Sequence, residues 1–211
     1  MREPSPFDLH ARDYDAWFDA YPTLFLSELR AIERHIPPSG DWVEVGVGTG
    51  RFAAALGIPA GIEPSEAMAE RARERGIRVL RGRAEALPLE SQSVDGLFAI
   101  TVLCFVNDLA RTFAEAARVL RHTGHLLVAM IPRESPMGQY YADTGEEDVF
   151  FRHATLRSVA EVLAAVETAG FVIEETGQTL IGPPDEIGVD VQAPVEGHDL
   201  GSFVVIRARV A

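Results

Sequence analysis

One cysteine, Cys104, stands in 211 residues, so neither an intrachain disulfide nor a cysteine-based metal cluster can form. No apolar run approaches the ~20 residues a membrane-spanning helix needs. The opening MREPSPFDLHARDYD lacks the apolar stretch of a secretory leader. Positive charge is also scarce: 19 Lys and Arg face 32 Asp and Glu, a formal net charge of −13. That balance favours solubility and opposes general affinity for phosphate backbones. The expectation is a cytoplasmic protein with no nucleic-acid and no membrane partner. The arginines between Arg71 and Arg83 are interleaved with Glu70, Glu74 and Glu85, and read as a solvated helix face. No repeat of fixed period is visible, and no interior linker marks a second domain, so residues 1–211 read as one domain.

What is present is an alternation of helical and extended signals. Over 7–36, apolar residues recur at spacings of three and four, which predicts one or two amphipathic helices broken near Pro22 and ended by Pro37-Pro38. Apolar runs then predict strands at 41–46, 60–63, 77–81, 94–100, 125–131, 171–175 and 202–209. Helices are expected from Arg51, over 66–75 behind a Ser65 cap, over 108–121, and over 155–169 with Gly170 closing the last. Near-continuous apolar strands separated by helices indicate a parallel sheet covered on both faces. The last two strands have no helix between them, only the Gly-, Pro- and acid-rich stretch 177–201. They are therefore expected to be antiparallel, with that stretch as an exposed connection.

The sharpest local signal is VEVGVGTGRFA at 43–53: a strand, then Gly46-x-Gly48-x-Gly50, then a helix. Glycines there let the backbone turn and come close to a ligand. Gly48–Ala53 also satisfies the dinucleotide pattern G-x-G-x-x-A, so the turn alone leaves the nucleotide open. Glu63 ends the second strand, where a carboxylate can accept from both hydroxyls of an adenosine ribose and would repel a 2′-phosphate.

With Gly61-Ile62-Glu63-Pro64-Ser65 and Met68, Gly82–Leu89, Ser93–Leu97, Arg118–Leu126 and the closing Ala169-Gly170-Phe171, the chain resembles class I S-adenosylmethionine-dependent methyltransferases. The likeness is to their small-molecule "type 11" branch, related to quinone-biosynthesis C-methyltransferases; it is good over about 40–131 and weaker over 150–210. The resemblance implies a doubly wound, Rossmann-like seven-stranded sheet in the order 3-2-1-4-5-7-6, with strand 7 antiparallel. It also implies that residues 1–38 form a helical lid. The implied cofactor is S-adenosyl-L-methionine and the product S-adenosyl-L-homocysteine.

By the same resemblance, Glu44 helps hold the cofactor's ammonium group, and the Gly46, Gly48 and Gly50 backbone runs along the methionyl part. Glu63 binds the ribose, Pro64 and Met68 flank the adenine, and Ala84 and Glu85 meet its edge. Thr101 and Leu103 lie near the methionyl group, and Tyr14 closes over the cofactor.

Two departures stand out. Cys104-Phe105 replaces a frequent histidine pair, and His122-Thr123-Gly124-His125 replaces the usual Pro-Gly-Gly turn. Cys104 reads as a small buried hydrophobe. The two histidines lack a third ligand nearby, and no metal is expected. The sulfonium is already an activated leaving group, so alignment and water exclusion carry most of the chemistry. Any base would come from 133–154, where Tyr140, Tyr141, Arg152 and His153 are the polar groups, with His153 the first candidate and Tyr140 and Tyr141 behind it.

The expected activity is methyl transfer to oxygen, nitrogen or carbon of a small molecule. Alternatives are a non-catalytic protein that keeps the cofactor site, and an NAD-dependent oxidoreductase.

Overall fold

The computed structural model describes residues 4–36 and 40–211. The chain opens with α1 (Pro6–Leu9), α2 (Ala11–Ala20) and α3 (Pro22–Glu33). Pro22 sits in the first turn of α3, where its missing N–H removes no helical bond. The stop expected at Pro37-Pro38 lies outside the described residues.

Strands and helices then alternate: β1 (Trp42–Val45), α4 (Arg51–Leu56), β2 (Ala60–Glu63), α5 (Glu66–Glu74), β3 (Arg78–Arg81), β4 (Val94–Ile100), α6 (Leu109–Val119) and β5 (Leu120–Met130). They are followed by α7 (Pro136–Thr144), α8 (Val159–Thr168), β6 (Phe171–Thr179), β7 (Val195–Glu196) and β8 (Phe203–Val210). Short 3-10 turns lie at Leu103–Phe105 and Phe151–His153.

One sheet joins all the strands in the order β3-β2-β1-β4-β5-β8-β6-β7. The first five are parallel, and β8 runs antiparallel between β5 and β6. The expected order is therefore present with β8 in the role of strand 7, and an eighth strand is added. That strand, β7, pairs with β6 through Gly177↔Glu196 and Gln178↔Val195. It comes from the stretch 177–201 that the sequence reads as an exposed connection, into which β6 itself runs as far as Thr179. This stretch is also partly packed: Leu180 and Ile187 are buried. The Thr23 hydroxyl donates to the Gly188 carbonyl, and the Gln192 amide donates to the Ser27 hydroxyl at 2.9 Å, so the stretch is fastened to α3.

Two helix boundaries differ from expectation, and one helix is added. The segment 108–121 stops as a helix at Val119, because Leu120 already pairs with Val94 across a bulge. Residues 155–158 are not helical; α8 starts behind Ser158, whose hydroxyl accepts from the Glu161 amide while the Glu161 carboxylate accepts from Ser158. α7 was not anticipated.

Side chains alternate across the sheet with period two. Leu97, Ala99, Leu126, Val128, Val204 and Ile206 pack toward the layer of α6 and α8, with Phe113, Val162 and Val166. Phe98, Ile100, Leu127, Ala129, Phe203 and Val205 pack toward the other layer, with Phe18, Ile32 and Phe52. Among the described residues, no helix is long and apolar enough to cross a membrane.

Candidate functional site

The β1–α4 turn is shaped by its glycines. Gly46 (φ +71°) and Gly50 (φ +81°) both occupy the left-handed region, and a Cβ on Gly46 would lie 2.3 Å from Val102 Cγ2. The Gly46 and Val47 amides donate to the Ile62 carbonyl at 2.8 and 3.1 Å, clamping the turn against β2. The space above Gly48 is open up to the ring of Tyr14, whose Cε1 would stand 3.7 Å from a Cβ there.

Two acids flank the turn. Glu63 accepts from the Gly48 amide at 3.0 Å with one carboxylate oxygen and from the Ser65 amide at 2.9 Å with the other. Burial raises its pKa, and these two amides offset part of the rise. Glu44, inside β1, is buried, and its Oε2 has no hydrogen-bond partner. Burial, and then the charge of Glu63, holds the Glu44 carboxyl well above its usual range, against the pull of the Ala53 amide. A buried oxygen without a donor is expensive, and a cation or donor arriving from a ligand would relieve it.

Above the turn lies α2. Asp15 accepts from Arg51 Nε at 2.9 Å and from Arg75 at 2.8 Å, and Arg51 also reaches Asp19 at 2.8 Å. This network pins the N-terminal helices to the first turn of α4 and the end of α5.

Beside the turn, on the side of the sheet where β4 and β5 end, is a cavity of about 190 Å³. Its wall is built by α2, α3, α7 and the segment around 148–157, and Tyr14, Thr101 and Leu103 belong to it. Thr101, directly after β4, has φ +49°, and Leu180, directly after β6, has φ +57°. Both line the cavity. A β-branched residue in the left-handed region costs roughly 1–3 kcal/mol and persists only where its surroundings impose it. Here the Thr101 amide is held by the Ala129 carbonyl at 2.8 Å.

The sequence gives no hint of Glu28. This α3 residue is 6% exposed, lines the cavity, and is pushed up to about 8 by burial. In PTLFLSELRAIE an acid at that position looks solvated. Only the fold of α3 beneath α7 encloses it.

The remaining expected site residues divide. Pro64 is half-buried at the start of α5, and Met68 is almost wholly covered on that helix's inner side. Ala84 is buried; Glu85 Oε1 accepts from the Asn107 amide at 2.9 Å, and Glu85 pairs loosely with Arg83 at 3.9 Å. Tyr141 lines the cavity, stacked on Phe151 with 3.9 Å between ring centroids, and burial raises its hydroxyl.

The other base candidates lie outside the cavity wall. His153 and Arg152 are exposed and do not line the cavity, because the 3-10 turn directs them outward, and Tyr140 is 47% exposed. Cys104 does line it, with its thiol toward the Thr101 carbonyl at 3.3 Å and pushed up to about 12 by burial. It behaves as a hydrophobe.

Known proteins agree with this geometry. Residues 43–128 match a methyltransferase domain family. A crystal structure of a Thermotoga maritima S-adenosylmethionine-dependent methyltransferase, described as a "possible histamine N-methyltransferase", is 41% identical with a TM-score of 0.92. The match covers 98% of this chain and 99% of that one. An uncharacterised protein of Methanocaldococcus jannaschii is 36% identical, over 96% of this chain and 97% of its own length. A Streptomyces coelicolor geranyl diphosphate C-methyltransferase, solved with S-adenosyl-L-homocysteine, shares the fold at 18% identity and a TM-score of 0.64, over 88% of this chain and 77% of its own.

Proposed function

Since the chain belongs to the S-adenosylmethionine-dependent methyltransferases, we propose that it methylates a small organic molecule held in the cavity beneath its N-terminal helices. One observation carries this reading: the three residues expected beside the methyl donor, Tyr14, Thr101 and Leu103, also form part of the cavity wall. A volume of about 190 Å³ falls below the 300–1,000 Å³ typical of drug-sized pockets. That favours a compact acceptor over a macromolecular one.

The residues around the turn suit the cofactor. Glu63 presents a carboxylate fixed by two backbone amides, with lone pairs left for ribose hydroxyls. The orphaned Glu44 oxygen suits an ammonium group, and the open space over Gly48 suits a chain lying against the backbone. When bound, S-adenosylmethionine supplies a methyl group on a positively charged sulfur, an activated leaving group that needs no metal. The protein's part is to align and to dry the site. Tyr14 covers the turn, Leu103 and Phe105 bring apolar walls, and the arginine network on Asp15 keeps the lid seated.

The dinucleotide alternative is disfavoured by β8, which runs antiparallel between β5 and β6 where a dinucleotide fold continues in parallel. Calorimetric titration with S-adenosyl-L-homocysteine, NAD and NADP tests the cofactor, and labelled methyl transfer to a set of small acceptors tests the reaction. Saturable S-adenosyl-L-homocysteine binding with transfer to a small acceptor supports the proposal. Transfer only to protein or RNA would overturn it.

A further inference from the structure

We infer that the cavity takes a compact organic amine, with its nitrogen held at the Glu28 carboxyl. This rests on the methyl-transfer reading and specifies the acceptor class of the same site.

Glu28 is the acid most deeply set in the cavity wall, and it makes no hydrogen bond or ion pair with any described residue. The neighbours that feel its charge are two tyrosines, Tyr14 from α2 and Tyr141 from α7. Much of the surrounding wall is aromatic and aliphatic. A carboxyl left alone in such a place is costly unless something in the working protein meets it, and buried acids are normally paired or hydrogen-bonded. None of the donors in the wall bonds to it, which leaves the carboxyl open to a ligand.

The charges around the cavity choose among ligands. Its titratable and charged groups are Asp13 and Tyr14 from α2, Glu28 from α3, Cys104, Tyr141, Asp148 and Arg157. Arg157 is the single cation; one of its terminal nitrogens donates to the Val106 carbonyl at 3.2 Å while its buried Nε has no partner, and three carboxyl groups share the wall. An anionic acceptor would meet like charges, and a neutral one would leave Glu28 uncompensated. A cationic nitrogen is drawn in by the wall and by the protein's net charge of −13. Aromatic faces add cation–π attraction on the way.

The position of Glu28 also suits the chemistry. The Tyr14 hydroxyl is raised by burial and then by the charges of Glu44, Cys104, Glu63 and Glu28. One side chain thus lies within electrostatic reach of both the acids at the glycine turn and the acid in the cavity. An amine is a nucleophile only without its extra proton. An ammonium seated on the Glu28 carboxylate can pass that proton across: the N–H bond breaks, an O–H bond forms on Glu28, and the electron pair stays on nitrogen. Burial raises the Glu28 carboxyl toward the range of an amine, which lowers the cost of that transfer whenever the carboxyl is ionised.

The test uses the full chain saturated with S-adenosyl-L-homocysteine. Primary amines from n-butylamine to 2-phenylethylamine are titrated calorimetrically, each beside the alcohol of the same skeleton. The expected result is at least one amine binding roughly tenfold or more tighter than its alcohol. Glu28→Gln should abolish that preference while S-adenosyl-L-homocysteine affinity stays unchanged, which also shows that the variant is folded. Equal binding of amines and alcohols, no binding of either, or a preference that survives in Glu28→Gln would each overturn the inference and leave the methyl-transfer reading standing. Loss of S-adenosyl-L-homocysteine binding by the wild-type protein would instead strike at the methyl-transfer reading itself.

Discussion

Asp15 and Arg51 come from opposite sides of the site, one from α2 and one from the first turn of α4, and meet at 2.9 Å with the aspartate almost covered. Burial alone would raise the Asp15 carboxyl, but hydrogen bonds from Arg51 and Arg75 bring it down to about 2. A pKa below the ordinary 3.8 means the contribution to stability is complete above about pH 4 and is lost as pH falls toward 2. Asp15→Asn should cost about 1–3 kcal/mol at neutral pH and flatten stability over that acid window. Urea denaturation at several pH values measures both. Because the same residue seats α2 over the glycine turn, S-adenosyl-L-homocysteine binding should weaken with it.

Glu63→Gln should weaken S-adenosyl-L-homocysteine by roughly 10–100-fold, the worth of a hydrogen bond to a charged acceptor. The effect has two sources. The ribose loses an anion, and the amide nitrogen of glutamine must face either the Gly48 or the Ser65 N–H, both donors. Titration calorimetry of variant and wild type gives the ratio directly. An unchanged affinity would remove Glu63 from the ribose site.

The three glycines of the turn should respond unequally. Gly46→Ala drives a Cβ to within 2.3 Å of Val102 Cγ2 at a left-handed φ, so a loss of about 2 kcal/mol or more in stability is expected. Gly48→Ala meets only the Tyr14 ring at 3.7 Å. Its penalty should be close to the left-handed strain alone, about 1 kcal/mol, with a larger effect on cofactor affinity than on melting. Thermal denaturation beside calorimetry separates the two.

Glu28 makes a prediction about stability as well as about ligands. Its folded-state pKa, about 8, lies above the ordinary 4.5, so the folded chain holds this proton more tightly than the unfolded one. The resulting stabilisation is full below about pH 4.5 and drains as pH rises through 8, by at most an amount on the order of 5 kcal/mol. Glu28→Gln should therefore match wild type in acid and exceed it at pH 9. Denaturant midpoints across that range decide the matter, and parallel curves would show that Glu28 is not desolvated.

Much of the architecture is legible in the sequence for simple physical reasons. Strands covered on both faces must be apolar almost throughout, so Val94–Ile100 and Leu126–Met130 announce themselves, and the missing helix before Phe203 predicts the antiparallel β8. The two-residue β7 is invisible, because Val195 and Glu196 carry no pattern; they are held to β6 by the ladder and by the Gln178 side chain, which donates to the Glu196 carbonyl at 3.1 Å.

The glycine turn and Glu63 can be read because they are local, within twenty residues. Glu28 cannot, since the cavity it faces is completed by α7 and the segment near 148–157, more than a hundred residues away. The placement of His153 is hidden for the mirror reason: its neighbours in sequence look like a site, and the 3-10 turn faces it to water.

The fastening of α3 to the stretch after β6 bears on the order in which the protein folds. The Thr23–Gly188 and Ser27–Gln192 bonds each span 165 residues, and the His35 ring occupies the space a side chain on Gly177 would need. Each of these contacts closes a long loop, an entropic cost that the neighbouring parallel strands do not bear, so α3 is expected to seat late in refolding, after the sheet it packs on.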